Sequence, residues 1–116
     1  MLFICYPKCT TCQKAAKWLD EHKVSYEKRD IKENNPTYDE LKKWYSLSGL
    51  PLKKFFNTSG LLYKSMELKD RLKDMTDEEQ LRLLSSDGML VKRPLLIDGD
   101  KVLVGFREKE YEGAVK

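Results

Sequence analysis

Near its start the chain carries the sequence Tyr6-Pro7-Lys8-Cys9-Thr10-Thr11-Cys12-Gln13-Lys14. The apolar run Leu2–Tyr6 predicts a buried strand, and the segment after Cys9 has the apolar spacing of a helix. Pro7 marks a turn between these two elements. Cys9 is therefore expected at the start of a helix, where unpaired amide N–H groups and the helix dipole favour a thiolate over a thiol.

The second cysteine of this motif follows three residues after the first. Cys12 is expected one turn along the same helix, close enough to Cys9 to form a disulfide with it. Cys9 lies nearer to the helix start and to solvent, so we predict it to be a nucleophile and Cys12 to be the thiol that resolves a mixed disulfide. The motif therefore predicts a thiol redox protein.

A Cys-x-x-Cys pair can also be half of a zinc site. The other candidate ligands are Cys5, expected within the first strand, and His22, about three turns from Cys9 along the helix. Neither is expected to converge with the pair, so we predict no metal. Cys5 is expected to be a small buried hydrophobic residue.

The two ends of the chain predict strands. Residues 1–35 read as a β-α-β unit whose second strand, Val24–Ile31, is charged like a sheet edge. Residues 88–116 predict a β-hairpin with Asp98-Gly99-Asp100 in its turn. A final short helix is expected around Glu108–Val115.

The middle of the chain, residues 36–87, predicts helices. Capping-box patterns occur at Thr37–Glu40 and at Thr76–Glu79, each ahead of an apolar stripe. The polar run 57–60 predicts a loop, and Gly88 is expected to end the last of these helices. Together the segments predict one domain over residues 1–116, an α/β fold with an all-helical insertion.

A second informative motif is Lys92-Arg93-Pro94, directly before the first strand of the hairpin. Because proline cannot donate to a strand ladder, Pro94 is expected at the start of that strand. In thiol-redox folds a loop with a cis proline faces the cysteine motif, so we predict a cis peptide bond before Pro94 here; the alternative is an ordinary trans proline that begins a strand. Arg93 would then bring a permanent cation close to Cys9 and favour its thiolate or an anionic substrate.

Composition narrows the function classes. The 116 residues include 22 basic and 19 acidic side chains, interleaved along the chain, which is typical of a solvated surface rather than of a nucleic-acid interface. No apolar run is long enough to cross a bilayer, and Met1–Ile4 lacks the pattern of a secretory signal. Three cysteines, an odd number, argue against a disulfide framework, so we expect a cytoplasmic protein.

Three stretches in order, Tyr6 to Leu19, Lys53 to Gly60 and Ser86 to Pro94, resemble the ArsC/Spx family along essentially the whole chain. The resemblance implies a thioredoxin-like fold, βαβ–ββα, with a helical insertion. The family contains glutaredoxin-coupled arsenate reductases and transcriptional regulators that bind RNA polymerase. It therefore implies catalysis by Cys9, Cys12 and Arg93, either on a small oxyanion or on a protein thiol or disulfide, without a bound cofactor. Glutathione or a thioredoxin or glutaredoxin system would supply electrons.

The chain also departs from the arsenate reductases of this family, in which three arginines hold the oxyanion. Arg93 matches the arginine before the proline, but Asn57 and a position near Gly105 replace the other two, and Arg107 is out of register. In those reductases glutathione acts as the resolving thiol, whereas in this chain Cys12 permits an internal disulfide. We expect substrate to be bound by Lys8, Thr10, Thr11, Asn57 and Pro94.

Overall fold

The first strand lies inside a four-stranded sheet because nearly all of its residues are apolar. In the computed structural model, which describes residues 1–115, β1 spans Leu2–Cys5. The strand order is β2-β1-β3-β4. β1 pairs in parallel with β2 and antiparallel with β3.

The β-α-β unit has the predicted order with a shorter second strand. α1 spans Thr10–Glu21, and β2 is an edge strand limited to Glu27–Asp30. The prediction of a strand over Val24–Ile31 was therefore too long. The pairing of Leu2 with Glu27 begins the ladder, so the residues before Glu27 have no part of β1 beside them.

The hairpin and the last helix agree with the sequence. β3 spans Leu95–Asp98 and β4 spans Lys101–Val104, joined by a tight turn in which Gly99 has a φ of 58°. That left-handed conformation is what glycine allows at low cost. α6 spans Glu108–Val115.

The insertion is helical but divided into short pieces. Its α-helices are α2 (Tyr38–Ser48), α3 (Leu61–Ser65), α4 (Leu68–Arg71) and α5 (Asp77–Ser86). Short 3₁₀ turns span Leu52–Phe55, Leu72–Asp74 and Gly88–Leu90. Both predicted capping boxes are present, at Thr37 with Glu40 and at Thr76 with Glu79.

Gly88 has a different role from the predicted helix stop. α5 ends at Ser86, and Gly88 begins the following 3₁₀ turn with a negative φ. A side-chain carbon at Gly88 would overlap the carbonyl oxygen of Ile31. The glycine is needed there because two backbone segments approach each other closely.

The sheet separates two apolar layers, because successive side chains of a strand point to opposite faces. Ile4 packs against the insertion, in the larger cluster with Trp44. Phe3 and Cys5 pack on the other face, with α1 and α6. Burial of Cys5 confirms its prediction as a buried hydrophobic residue. No helix within residues 1–115 is long and apolar enough to cross a membrane.

Candidate active site

The cysteine motif lies where β1 gives way to α1. The amide of Cys9 donates to the carbonyl of Tyr6 over 2.9 Å, which closes a turn with Pro7 and Lys8 at its centre. The side-chain amide of Gln13 donates to the carbonyl of Pro7 over 2.9 Å and holds this turn against the helix. Cys9 is thus fixed as the residue that precedes the first turn of α1, as predicted.

The start of α1 is open toward the Cys9 thiol. Within the described chain no side chain caps this helix, and its first turn contains no acidic residue. The first hydrogen bond of the helix runs from the amide of Gln13 to the carbonyl of Cys9, at 3.0 Å. The amide of Cys12 is left to interact with the Cys9 sulfur.

The Arg93–Pro94 peptide bond is cis, as the sequence predicts. It leads into β3, and β3 is the antiparallel neighbour of β1, so Arg93 is brought to the end of β1 that carries the cysteine motif. The Arg93 guanidinium lies over the ring of Tyr6, with Cζ 5.2 Å from the ring centroid. Its Nε and Nη1 are buried, and neither has a hydrogen-bond partner among residues 1–115.

These groups make Cys9 the more acidic thiol of the pair. Burial by itself raises the pKa of Cys9, but the amide of Cys12, the Arg93 guanidinium and the Cys12 thiol together lower it below the usual thiol range. The Cys9 side chain is also partly exposed to solvent. A thiol that is both acidic and accessible can act as a nucleophile near neutral pH.

Cys12 has the opposite environment. It is 2% exposed, and the amide of Tyr6 donates to its sulfur over 3.3 Å. Burial and the neighbouring Cys9 raise the pKa of the Cys12 thiol to about 12, against a smaller opposing effect of the Tyr6 amide. All three cysteines of the chain are free thiols in this structure.

The predicted binding residues fall into two groups. Lys8, Thr10 and Thr11 are exposed on the rim of the turn and the first helical turn, around Cys9. Pro94 is buried at the start of β3. Contact with Arg93 lowers the pKa of Cys9, whereas Lys8, the residue directly before Cys9, is not among the groups that lower it.

The loop with Asn57 is attached to the segment that leads to Arg93. The amide of Asn57 donates to the carbonyl of Leu90 over 2.8 Å, and the amide of Lys92 donates to the carbonyl of Phe55 over 2.7 Å. The Asn57 side chain accepts a hydrogen bond from Ser59 and packs against Gly60. Asn57 is therefore near the site, with its side chain turned onto its own loop.

Gly105 is also near the site, directly behind the proline. Its amide donates to the carbonyl of Pro94 over 2.8 Å, and its φ of 83° favours glycine. An arginine at this position would be strained. Arg107 is exposed.

Two residues that shape the site were not predicted from the sequence. Tyr6 supports Arg93 through its ring and Cys12 through its amide, while Gln13 holds the turn. Both lie within the quoted motif, but their contacts cross from strand to helix or to another loop. No group of three or more His, Cys, Asp or Glu side chains within residues 1–115 is arranged to hold a metal ion.

The fold and site together define a thioredoxin-like α/β protein with an activated Cys-x-x-Cys motif at a strand-to-helix turn. The chain belongs to the ArsC family, whose model matches residues 5–114.

Two relatives from Bacillus subtilis (strain 168) represent different parts of this family. The protein YusI is 54% identical over 97% of this chain and 95% of its own length. The regulatory protein MgsR is 32% identical over 95% of this chain and 86% of its own length.

Solved structures show the same architecture. An ArsC family related protein from Bacteroides fragilis is 55% identical, with a TM-score of 0.95, over 97% of this chain and 94% of its own. A protein described as a possible arsenate reductase from Streptococcus mutans UA159 is 47% identical, with a TM-score of 0.86, over 91% of this chain and 90% of its own.

Proposed function

We propose that this protein is a thiol–disulfide oxidoreductase in which Cys9 is the nucleophile and Cys12 the resolving thiol. The observation that carries the proposal is the contrast between the two sulfurs. Cys9 is accessible and has a lowered pKa, whereas Cys12 is buried beside it and has a raised pKa. This contrast assigns the two halves of a disulfide exchange to different residues.

The reaction begins with attack of the Cys9 thiolate on one sulfur of a substrate disulfide. The other substrate sulfur leaves as a thiolate, and Cys9 is held in a mixed disulfide. Cys12 then loses its proton and attacks the Cys9 sulfur, which releases the second substrate thiol and forms the Cys9–Cys12 disulfide. The substrate gains two electrons, and the protein loses them.

The rise in the Cys12 pKa comes first from burial and then partly from the neighbouring Cys9. Once Cys9 is bonded to substrate it no longer carries a negative charge. The Cys12 thiol therefore becomes easier to ionise at the step that needs its thiolate.

Arg93 is proposed to stabilise the Cys9 thiolate, and Pro94 to shape the edge that holds an extended substrate. The permanent positive charge of the Arg93 guanidinium would also favour an anionic group on that substrate. Lys8, Thr10 and Thr11 surround the exposed side of Cys9, and Asn57 lies on the loop beside Arg93.

We propose that the Cys9–Cys12 disulfide is reduced by glutathione or by a thioredoxin or glutaredoxin system, without a bound cofactor. The odd number of cysteines, three, argues against a disulfide framework, so we place the protein in the cytoplasm.

The test is NADPH consumption with hydroxyethyl disulfide as substrate, in parallel arms with glutathione and glutathione reductase or with thioredoxin and thioredoxin reductase. We expect activity in at least one arm, its loss in Cys9→Ser, and a trapped mixed disulfide on Cys9 in Cys12→Ser. Lys101→Ala, an exposed substitution on β4, is the matched control. If the wild-type protein is inactive in both arms and Cys12→Ser traps no partner, the proposal is wrong.

Arsenate reduction is a second candidate, favoured by the similar possible arsenate reductase from Streptococcus mutans and by Arg93 beside Cys9. Two of the three arginines that hold the oxyanion in arsenate reductases of this family are replaced here, by Asn57 and near Gly105. Each charge-assisted hydrogen bond contributes about 1.5–3 kcal/mol, so their loss should weaken the binding of a doubly charged oxyanion. Arsenate-dependent NADPH consumption with glutathione, glutaredoxin and glutathione reductase would support this candidate over the general oxidoreductase.

A regulator that binds RNA polymerase is a third candidate, favoured by the 32% identity with the regulatory protein MgsR. Cys9 and Cys12 would then sense the redox state instead of turning over a substrate. Co-purification with RNA polymerase, changing with the Cys9–Cys12 redox state, would support this function.

A further inference from the structure

Cys5 is a third thiol that the proposed reaction leaves unused. It is the last residue of β1 and is 2% exposed. Its side chain lies on the same face of the sheet as α1, in one apolar cluster with Cys12. Two buried thiols therefore share one cluster, and the partly exposed Cys9 packs against that cluster.

The distance between Cys5 and Cys12 is limited by one hydrogen bond. The Tyr6 amide nitrogen is 3.3 Å from the Cys12 sulfur. That nitrogen is two covalent bonds from Cα of Cys5, so the Cys12 sulfur lies at most about 5.7 Å from this Cα atom. A disulfide needs Cβ atoms about 3.8 Å apart, and this upper bound is compatible with such a separation.

Space for that rotation exists on the outer side of the two thiols. A cleft of about 380 Å³ is bordered by both Cys5 and Cys12, and by Ala16 of α1 and Lys28 of β2. Both side chains are otherwise buried, so the cleft is the side toward which their rotamers can change.

We propose that Cys5 is a third redox-active thiol. It exchanges with the Cys9–Cys12 disulfide, so that a Cys5–Cys12 disulfide forms and Cys9 becomes a free thiol. This inference rests on the proposed function, which supplies the Cys9–Cys12 disulfide. Cys5 loses its proton to solvent and attacks the Cys12 sulfur. The Cys5–Cys12 bond forms, the Cys9–Cys12 bond breaks, and Cys9 leaves as a thiolate with the bonding electron pair. No net oxidation or reduction occurs.

The direction of the exchange follows from the acidity of the three thiols. Burial raises the pKa of Cys5 against the opposing charge of Lys28, whereas the pKa of Cys9 is lowered. A more acidic thiol is the better leaving group in disulfide exchange. The exchange thus restores the nucleophile and stores the oxidised bond in the interior, next to the cleft.

Tryptic peptides separate the two disulfides without any substitution. Cleavage after Lys8 and Lys14 places Cys5 in peptide 1–8 and both Cys9 and Cys12 in peptide 9–14. A Cys9–Cys12 bond stays within one peptide, whereas a Cys5–Cys12 bond links two. The experiment treats the wild-type protein with one equivalent of diamide and blocks free thiols with N-ethylmaleimide at successive times. The peptides are identified by mass, and the cysteine that carries maleimide is identified by fragmentation of the peptides.

We expect the internal disulfide of peptide 9–14 to form first and the linked pair to replace it as the main product, with maleimide on Cys9. Cys12→Ser should give no linked pair, and Cys5→Ala should stop at the internal disulfide. If that internal disulfide is the sole product at all times, or if the link is to Cys9, the role of Cys5 is overturned while the proposed function stands. If no internal disulfide forms at any time, both fail.

Discussion

The starts of three helices differ in how their free amide groups are used. α2 and α5 are each closed by a capping box, in which threonine accepts from the third residue and glutamate accepts from the threonine amide. Both also have acidic residues in the first turn. α1 has neither feature, and Cys9 precedes it without a cap.

The unpaired N–H groups at the start of a helix are thus used in two different ways in this protein. At α2 and α5 the unpaired N–H groups of the helix start are satisfied by neutral and charged oxygens, which stabilises the helix. At α1 the same kind of group stabilises a thiolate instead, because the Cys12 amide interacts with the Cys9 sulfur. An acidic residue in the first turn of α1 would compete with that thiolate.

The substitutions Cys9→Ala and Thr37→Ala should distinguish most clearly between a helix start that stabilises a thiolate and one that stabilises its helix. Loss of the nucleophile should lower disulfide reductase activity more than 100-fold, with little effect on stability because no cap is lost. Thr37→Ala should leave activity unchanged and lower the free energy of unfolding by about 1 kcal/mol. Coupled NADPH assays and urea titrations measure both. A large activity loss in Thr37→Ala would contradict the comparison.

Removing the charge beside Cys9 should have the next largest effect. Arg93→Met should raise the pKa of Cys9 and reduce its alkylation rate by iodoacetamide at pH 6.5 by about tenfold, since a hydrogen bond to a charged group contributes about 1.5–3 kcal/mol. Arg107→Gln, at an exposed arginine, is the matched control and should leave the rate unchanged. Equal rates in both variants would show that the amides of α1 activate Cys9 without Arg93.

The two capping boxes themselves should differ. Glu40 also accepts two hydrogen bonds from Arg29, at 2.7 and 2.9 Å, in a partly buried pair. Glu40→Gln should lower the free energy of unfolding by about 1–2 kcal/mol, allowing for solvent screening. Glu79→Gln, in an exposed box, should cost less.

The pH dependence of that difference has a definite sign. The bond from Arg29 lowers the pKa of Glu40, so its stabilisation is present above the ordinary glutamate pKa and is lost as pH falls through the lowered value. Urea titrations of wild type and Glu40→Gln at several pH values between 2.5 and 7 would measure it. A difference that stays constant over this range would contradict the assignment.

The smallest expected effect is the pH dependence of stability that comes from Cys9. Because its pKa is lowered in the folded state, the unfolded chain binds more protons between that pKa and the ordinary value of 9.0. The free energy of unfolding of the wild-type protein should therefore rise with pH relative to Cys9→Ala. Paired urea titrations between pH 5.5 and 8.5 test this, and a difference that falls with pH would contradict it.

Much of the fold could be predicted because its signals are local. The apolar strand before a proline turn, the two threonine–glutamate pairs and the Asp-Gly-Asp turn each act over a few residues. The cis peptide before Pro94 and the approach of Arg93 to Cys9 were also predicted, from the Arg-Pro pair together with the general pattern of thiol-redox folds.

Other features could not be predicted because their causes lie elsewhere in the chain. The length of β2 depends on where β1 begins, and Gly88 is small because the backbone of Ile31 passes close to it. The support of Arg93 by the Tyr6 ring joins residues that are far apart in the sequence. None of these contacts has a periodicity or a motif of its own.

The sequence by itself determined that two cysteines stand at a strand-to-helix turn and that α1 begins without a capping residue, since both depend on neighbouring residues. The tertiary structure decided how strongly the acidities of the two thiols differ. Burial of Cys12 against β1 and delivery of Arg93 by β3 set the two pKa values apart, because desolvation and charge act through space and not along the chain.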